Sequence, residues 1–371
     1  MRLALIHDCI VHVGGAERVL QCLHTMFPDA PVYTLVAKPA VVQELFPTAK
    51  VVCSFADKLP GARHWFRAYA PLYPMAVEAL DLTEFDVVLS SSYSFAKGVI
   101  VPPATAHVCY CHSPLRYLWS DYHFHRKTVF RQTWKRVLVD PLLARLRLWD
   151  RLAADRVDQF VAISQVVAER VRKYYRRRAR VVYPPVPVSK IRLAGSAGGY
   201  YLLVSRLMAY KRVDLAIEAF NQLGLPLKIV GKGPLDGALR RMSKSNIEFL
   251  GSIPDQALAD CFAACRALVF PGQEDFGIVM VEAQAYGKPV IAYGAGGAAE
   301  IVMDGRTGVL FRDQSAAGLK DAVARLDGLA LDAEEIRANA LRFDTSRFEE
   351  SMKSIVQAAR ARASSPHRVN I

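Results

Sequence analysis

Short apolar runs rich in Val and Ile alternate with longer stretches of helical spacing along this chain. In its first half, LALIHDCI, PVYTLVA, DVVLSSS, AHVCYC and DQFVAIS have the length and β-branched content of buried strands. Between the first two, GAERVLQCLHTMF repeats apolar residues at the spacing of one helix face. That alternation predicts βαβ units and a parallel sheet. Tyr183-Pro184-Pro185-Val186-Pro187 interrupts it, because proline removes an N–H and restricts the residue before it. After a polar stretch ending in Gly195-Ser196-Ala197-Gly198-Gly199, the pattern restarts in YYLLVSR, LPLKIVG, IEFLGS, CRALVFP, KPVIAYG and GVLF, with DLAIEAFNQL, DQALADCFAAC and VMVEAQAY as intervening helices. The expectation is two doubly wound halves joined near residues 184 to 198, then an amphipathic segment from Ser346 to about Ala363 with no strand after it.

Composition adds bounds. A length of 371 residues exceeds one ordinary domain, and 52% hydrophobic with 22% charged residues excludes a disordered chain. MRLALIHDCIV reads as a first strand rather than a signal peptide, and no apolar run approaches the ~20 residues that span a bilayer. A cytoplasmic protein is expected. Seven cysteines, an odd number set in apolar runs, suit reduced thiols. Cys109-Tyr110-Cys111-His112 lacks a second ligand pair at zinc spacing, so no metal is expected.

The net charge of +13 is uneven. Between His123 and Arg180 it includes Arg126, Lys127, Arg131, Lys135, Arg136, Arg145, Arg147, Arg172, Lys173 and Arg178 against few acids. Such a region attracts phospholipid headgroups, a polyprenyl pyrophosphate or nucleic acid; a solvated helix face accounts for the same residues.

Three stretches carry candidate chemistry. In Val13-Gly14-Gly15-Ala16, a strand turns into a helix through glycines. They either admit a ligand's phosphate or sugar to the backbone or serve the turn alone. Arg206 and Lys211 follow the YYLLVSR strand, at the sheet edge where ligands of open α/β folds bind. There they suit a pyrophosphate, unless the loop is merely exposed and charged. In Phe270-Pro271-Gly272-Gln273-Glu274-Asp275-Phe276-Gly277, a strand ends in proline and a glycine opens the next helix. The N–H groups of Gly277, Ile278 and Val279 at that helix start favour phosphate. Glu282, an acid inside the apolar VMVEA run, needs a partner. Sugar hydroxyls would supply one; a structural cap is the alternative.

GGAERV, CHSPLRYLW, VSRLMAYKRVD and EDFGIVMVEAQAYGKPVIAYGAGGAAEIV, in this order and at these separations, resemble the retaining glycosyltransferases of family four. The resemblance runs from residue 1 to about residue 350. It implies the α/β GT-B fold: two Rossmann-like domains facing a cleft, residues 1–187 on the acceptor side and 188–345 for the nucleotide sugar. Residues 346–371 would form a crossover helix returning to the first domain, and a tail. Carried over position by position, Glu274 would contact donor-sugar hydroxyls, Glu282 the ribose, and Arg206 with Lys211 the diphosphate. Gly15 would approach the same phosphates and His112 would face the donor sugar. Gly231 and Ile253 would frame the base, while Gly14, Arg116, Tyr117 and Trp119 would border the acceptor. No cofactor is implied, since the nucleotide sugar is a substrate.

The EDFGIVMVEAQA and HSPLRYLW forms look most like bacterial mannosyltransferases that use GDP-mannose in O-antigen or exopolysaccharide assembly. The implied partners are a nucleotide sugar and a lipid-linked or oligosaccharide acceptor. The aromatic and basic stretch Tyr117, Trp119, Tyr122, His123, His125, Arg126 would border the acceptor side, and the basic segment beyond it would dock on an anionic membrane that carries a lipid-linked acceptor, placing the protein peripherally on the cytoplasmic face of the inner membrane. Two other classes explain less. An oxidoreductase needs a G-x-G-x-x-G after its first strand, and Gly231-Lys232-Gly233 lacks the third glycine. A nucleic-acid-binding protein fits the pI near 9.5, yet no such motif is present, so no nucleic-acid partner is expected.

Overall fold

The computed structural model describes residues 1–123, 126, 133–194 and 198–363, with side chains omitted for 133–138. His125, Lys127 and Arg131, and the side chains of Lys135 and Arg136, lie outside the described residues. The chain forms two compact units, one comprising residues 1–183 and the stretch from Phe348 onward, the other Pro184–Arg347.

The first unit holds a sheet of β1 (Leu3–Ile10), β2 (Val32–Ala37), β3 (Val51–Cys53), β4 (Val87–Ser92), β5 (Ala106–Cys111), β6 (Gln159–Ala162) and β7 (Ala179–Val181), in the order β3-β2-β1-β4-β5-β6-β7. The second holds β8 (Tyr201–Val204), β9 (Leu227–Val230), β10 (Ile247–Gly251), β11 (Ala267–Phe270), β12 (Val290–Tyr293) and β13 (Gly308–Phe311), in the order β10-β9-β8-β11-β12-β13. Every pairing is parallel. Parallel strands need crossover helices, which cover both faces, so the strands read as unbroken apolar runs; all eight residues of β1 are buried. The order reverses beside the first strand of each unit, between β1 and β4 and between β8 and β11. At such a switch point the connections leave in opposite directions and open a crevice at the carboxyl ends.

The eleven strands legible as apolar runs are present. β3 and β7, three residues each at opposite edges of their sheet, are too short to show a pattern. The final segment is a helix, Thr345–Ala363, that buries Phe348, Met352, Ile355, Val356 and Ala359. Phe348 meets Tyr110 of β5 edge to face at 5.5 Å, which anchors this helix in the first unit.

A buried ion pair holds together the connections of that unit. Lys97, 2% exposed, pairs with Asp150 of the helix Thr133–Asp155. Asp150 also accepts from Trp119 Nε1 at 2.7 Å and Tyr175 OH at 2.9 Å, while the ammonium lies over the rings of Trp149 and Tyr175. Removing one member of such a pair strands the other charge in a dry site. Asp150→Ala is therefore expected to cost about 3–5 kcal/mol in urea unfolding, and the double variant Lys97→Met, Asp150→Leu should recover part of it, the rest remaining with the unpaired Trp119 and Tyr175 donors. A single-variant loss below about 1 kcal/mol would mean the pair behaves as a solvated one.

Candidate active site

In the second unit the candidate residues gather on loops leaving the carboxyl edge. Arg206 and Lys211 follow β8, Gly231 follows β9, Ile253 follows β10, and Glu274 follows β11. Lys211 and Glu274 thus stand on the two strands that flank the switch point, and their side chains form an ion pair, each less than a fifth exposed. Tyr210 ties in the second cation: its hydroxyl accepts from Arg206 Nη2 at 3.2 Å, and the Lys211 ammonium lies 5.1 Å from its ring centroid. Gly231 N donates to Gly251 O at 2.7 Å, joining the loops after β9 and β10.

Close backbone contact fixes this edge. A Cβ on Gly272 would lie 2.8 Å from the carbonyl oxygen of Lys211, so only glycine lets the two loops touch there. Gly296 has φ +67° and pairs as a bridge with Glu274; a Cβ there would lie 2.2 Å from the Glu274 carbonyl oxygen. That carbonyl accepts from Gly297 N at 2.9 Å. The backbone of Glu274 is therefore held by the β12 loop, and that of Lys211 lies against the β11 loop. Gly277, also at positive φ, caps the helix Ile278–Ala285, which carries Glu282 half-buried. Beneath it, Gln284 is fully buried and accepts from Asn339 Nδ2 at 2.7 Å.

The first unit presents a second polar cluster at its own switch point. Gly14 caps the helix Gly15–Met26 in extended backbone, and Gly15 is exposed. Below the turn lies Glu17, 1% exposed, with its Oε1 3.8 Å from both His7 Nε2 and His12 Nε2. A Cβ on Gly14 would lie 2.8 Å from Glu17 Oε2, so this glycine makes room for the carboxylate. Burial works against the charged form of Glu17, but His7 and His12 outweigh it and hold the carboxyl below its ordinary value. His112, just past β5, bonds through Nε2 to Ser91 Oγ at 2.8 Å, and Ser91 Oγ lies 3.3 Å from His7 Nδ1. Burial, and secondarily His7, pushes the His112 pKa down to about 3, so this imidazole is neutral at physiological pH. Asp8 ends the row: its carboxylate, buried at the end of β1, accepts from the N–H groups of Tyr93, Ser94, Phe95 and Ala96. It braces the turn after β4.

The expected acceptor-side residues have structural partners. Arg116 Nε donates to Asp121 at 2.8 Å, Tyr117 packs on the core, and Trp119 stacks on Tyr174 at 5.0 Å with its N–H given to Asp150. Sequence reading did not single out His7, Asp8, Glu17 or Ser91. For His7, Asp8 and Ser91 the signal was there: polar residues inside the apolar strands β1 and β4, which parallel sheets cover on both faces. Among the described residues, no group of three or more His, Cys, Asp or Glu side chains is placed to hold a metal ion.

Two doubly wound parallel sheets, each with polar side chains at its switch point, define the GT-B class. Residues 13–190 match the family described as Glycosyltransferase Family 4, and residues 199–327 match glycosyl transferases group 1. The chain belongs to these family-four glycosyltransferases. It is 30% identical over 196 residues to an uncharacterized glycosyltransferase of Methanocaldococcus jannaschii, a match covering 52% of this chain and 54% of the relative. The chain thus spans about half the length of that relative. A D-rhamnosyltransferase of Pseudomonas aeruginosa is 27% identical over 73% of this chain and 78% of its own. A GDP-mannose-dependent phosphatidylinositol monomannoside mannosyltransferase of Mycobacterium tuberculosis is 34% identical over 41% of this chain and 40% of its own. Among solved structures, Anabaena HepE in complex with UDP and glucose superposes with a TM-score of 0.73 at 20% identity, covering 96% of this chain and all of that one.

The glycine contacts yield a direct test. Gly296→Val, which places a branched side chain against the Glu274 carbonyl in a left-handed conformation, should lower the melting temperature and cut binding of a nucleotide-sugar probe such as GDP-mannose about tenfold or more. Calorimetric binding equal to wild type would show that Glu274 is not held from this side.

Proposed function

We propose that this protein transfers a hexosyl group, with retention of configuration, from a nucleotide diphosphate sugar to a lipid-linked or oligosaccharide acceptor in bacterial surface polysaccharide synthesis. The observation that carries the reading is the Lys211–Glu274 pair across the β8–β11 switch point. It sets a cation for a diphosphate beside a carboxylate for sugar hydroxyls. GDP-mannose is our choice of donor: the mycobacterial relative is described as GDP-mannose-dependent, and the motif forms agree.

In this reading Arg206 and Lys211 neutralise the charge that grows on the leaving phosphate as the anomeric carbon–oxygen bond breaks. The acceptor oxygen bonds to the same face, and its proton passes to the departing phosphate. Glu274 orients the sugar through its hydroxyls and Glu282 holds the ribose. The N–H groups of Gly277, Ile278 and Val279 favour the phosphates; Gly231 and Ile253 border the base. From the first unit we assign His112 to the reacting sugar, Gly15 to the phosphates, and Gly14, Arg116, Tyr117 and Trp119 to the acceptor side.

Docking on an anionic membrane surface fits the helix Thr133–Asp155, where Leu148 and Leu152, 63% and 57% exposed, share a face by their i, i+4 spacing. Arg145, Arg172, Lys173 and Arg178 are exposed on this helix and the segment after it. Apolar side chains with basic neighbours suit a headgroup boundary. Among the described residues no helix is long and apolar enough to cross a membrane. Co-sedimentation with vesicles should rise with anionic lipid and fall with salt; insensitivity to both contradicts docking.

Incubation with a panel of nucleotide sugars and lipid-linked acceptors, followed by free nucleotide, should show GDP release from GDP-mannose. Turnover of no nucleotide sugar would reject the proposal. The two members of the pair should separate kinetically. Glu274→Ala leaves Lys211 free for phosphate, so turnover falls while GDP affinity stays within about threefold. Lys211→Ala leaves a bare carboxylate facing the phosphates, so GDP affinity also falls, about tenfold or more. Equal GDP affinities in the two variants would remove Lys211 from the diphosphate.

A further inference from the structure

We infer that Glu17, acting through His7 and Ser91, fixes the tautomer of His112: the ring carries its proton on Nε2 and presents a bare Nδ1. The consequence for catalysis rests on the reading of His112 given above; the relay itself rests on geometry alone.

The chain of groups runs in one direction. Glu17 sits in the first turn of the helix Gly15–Met26, where the unpaired N–H groups and the macrodipole favour an ionised carboxylate. An ionised carboxylate accepts and never donates. His7 Nε2, fully buried, faces the Glu17 carboxylate at 3.8 Å, longer than a hydrogen bond, and neither atom has a hydrogen-bond partner among the described residues, so the attraction of the carboxylate draws the His7 N–H toward Glu17. When His7 is neutral, its ring has one donor and one acceptor, so Nδ1 is left as the acceptor and the Ser91 hydroxyl donates to it across 3.3 Å. The Ser91 oxygen then has lone pairs to offer, and the group 2.8 Å away, His112 Nε2, must be the donor. His112 Nδ1 is left with a lone pair.

With His7 neutral, the reversed chain is the poorer arrangement. Reversing the chain would point a lone pair of His7 at a carboxylate inside a dry site, and two facing lone pairs repel strongly at low dielectric. Ser91 is fully buried, so no bulk water competes for its hydroxyl. The edge-to-face rings of Tyr93 on His7 and Tyr110 on His112 hold both imidazole planes. Gly14 leaves the space that the Glu17 carboxylate occupies, which links the glycine turn to a histidine on another strand. Glu17, His7 and Ser91 are positioning residues, since each acts on His112 rather than on a substrate. A bare Nδ1 accepts a hydrogen bond from a sugar hydroxyl and cannot donate one to phosphate. That makes the relay a selector for what His112 binds.

The test is nitrogen-15 correlation spectroscopy of the full-length protein labelled at histidine, with the His112 signal assigned by its disappearance in His112→Asn. In wild type, His112 should show protonated Nε2 and unprotonated Nδ1. Glu17→Gln replaces an acceptor-only group with an amide that donates as well as accepts, so the bias on His7 is lost and the His112 signature should shift toward protonated Nδ1. Ser91→Ala, which breaks the chain without touching either histidine, should give a mixture of tautomers. Turnover of GDP-mannose should fall about tenfold in Glu17→Gln with the donor KM within about threefold. A His112 tautomer that is Nδ1-protonated in wild type, or the same in wild type and in both folded variants, overturns the relay. A switched tautomer with unchanged turnover supports the relay and instead removes His112 from the reacting sugar.

Discussion

A carboxylate and an ammonium held in contact at the ends of two neighbouring parallel strands govern what this protein's second unit can bind. At an effective dielectric near 20, opposite charges about 4 Å apart attract by about 4 kcal/mol before desolvation is subtracted, and little of that survives as net stability. The pair is consequently a poor device for holding its own geometry. The backbone holds it instead: Gly272 lets the β11 loop lie against the carbonyl of Lys211, and Gly296 lets the β12 loop lie against the carbonyl of Glu274. With the loops fixed, Lys211 and Glu274 neutralise each other without a ligand. In the proposed reading, a diphosphate arriving at this edge would find a cation already in place, and the carboxylate would be freed to orient hydroxyls. Preorganisation of this kind lowers the ordering cost of each step.

The first unit solves the same problem with buried polar groups. Its switch point lies between β1 and β4, and Asp8 closes it by accepting four backbone N–H bonds from the turn after β4. Beside Asp8, the carboxylate of Glu17 lies under the glycine turn, and a line of donors and acceptors runs from it to His112. In both units, then, glycine permits a close contact beside a carboxylate: with the Glu17 side chain in the first and with the backbone of Lys211 and Glu274 in the second. The apolar strands supply rigidity; the polar residues at their ends supply function.

The sequence and the structure agree where the periodicity is long and diverge where it is not. Strands such as Leu3–Ile10 and Val87–Ser92 are legible because parallel sheets bury both faces, whereas three-residue edges such as Val51–Cys53 carry no period. Lys211 and Glu274 stood out as charges following apolar strands, and topology explains why they meet. Glu17, by contrast, reads in sequence as an ordinary first-turn acid on a helix surface, and only the glycine turn above it accounts for its burial. Trp119 shows the opposite limit. Its aromatic neighbourhood suggested a face for sugar; the structure stacks one of its faces on Tyr174 and gives its N–H to Asp150, partners that the sequence did not name. Which residue a side chain will meet across 31 positions of chain is decided by packing, which composition does not encode.

The central claim is that the carboxyl edge at β8 and β11 holds the donor. Hydrogen–deuterium exchange of the full chain with and without GDP-mannose tests it most directly. The account predicts slower exchange on binding in the segments around Arg206 to Lys211, Gly231 to Gly233 and Glu274 to Glu282. The helix Ala316–Asp327, which packs on the body of the same sheet, should be unchanged. Protection confined to other segments, with those three loops unaffected at saturating GDP-mannose, would contradict it.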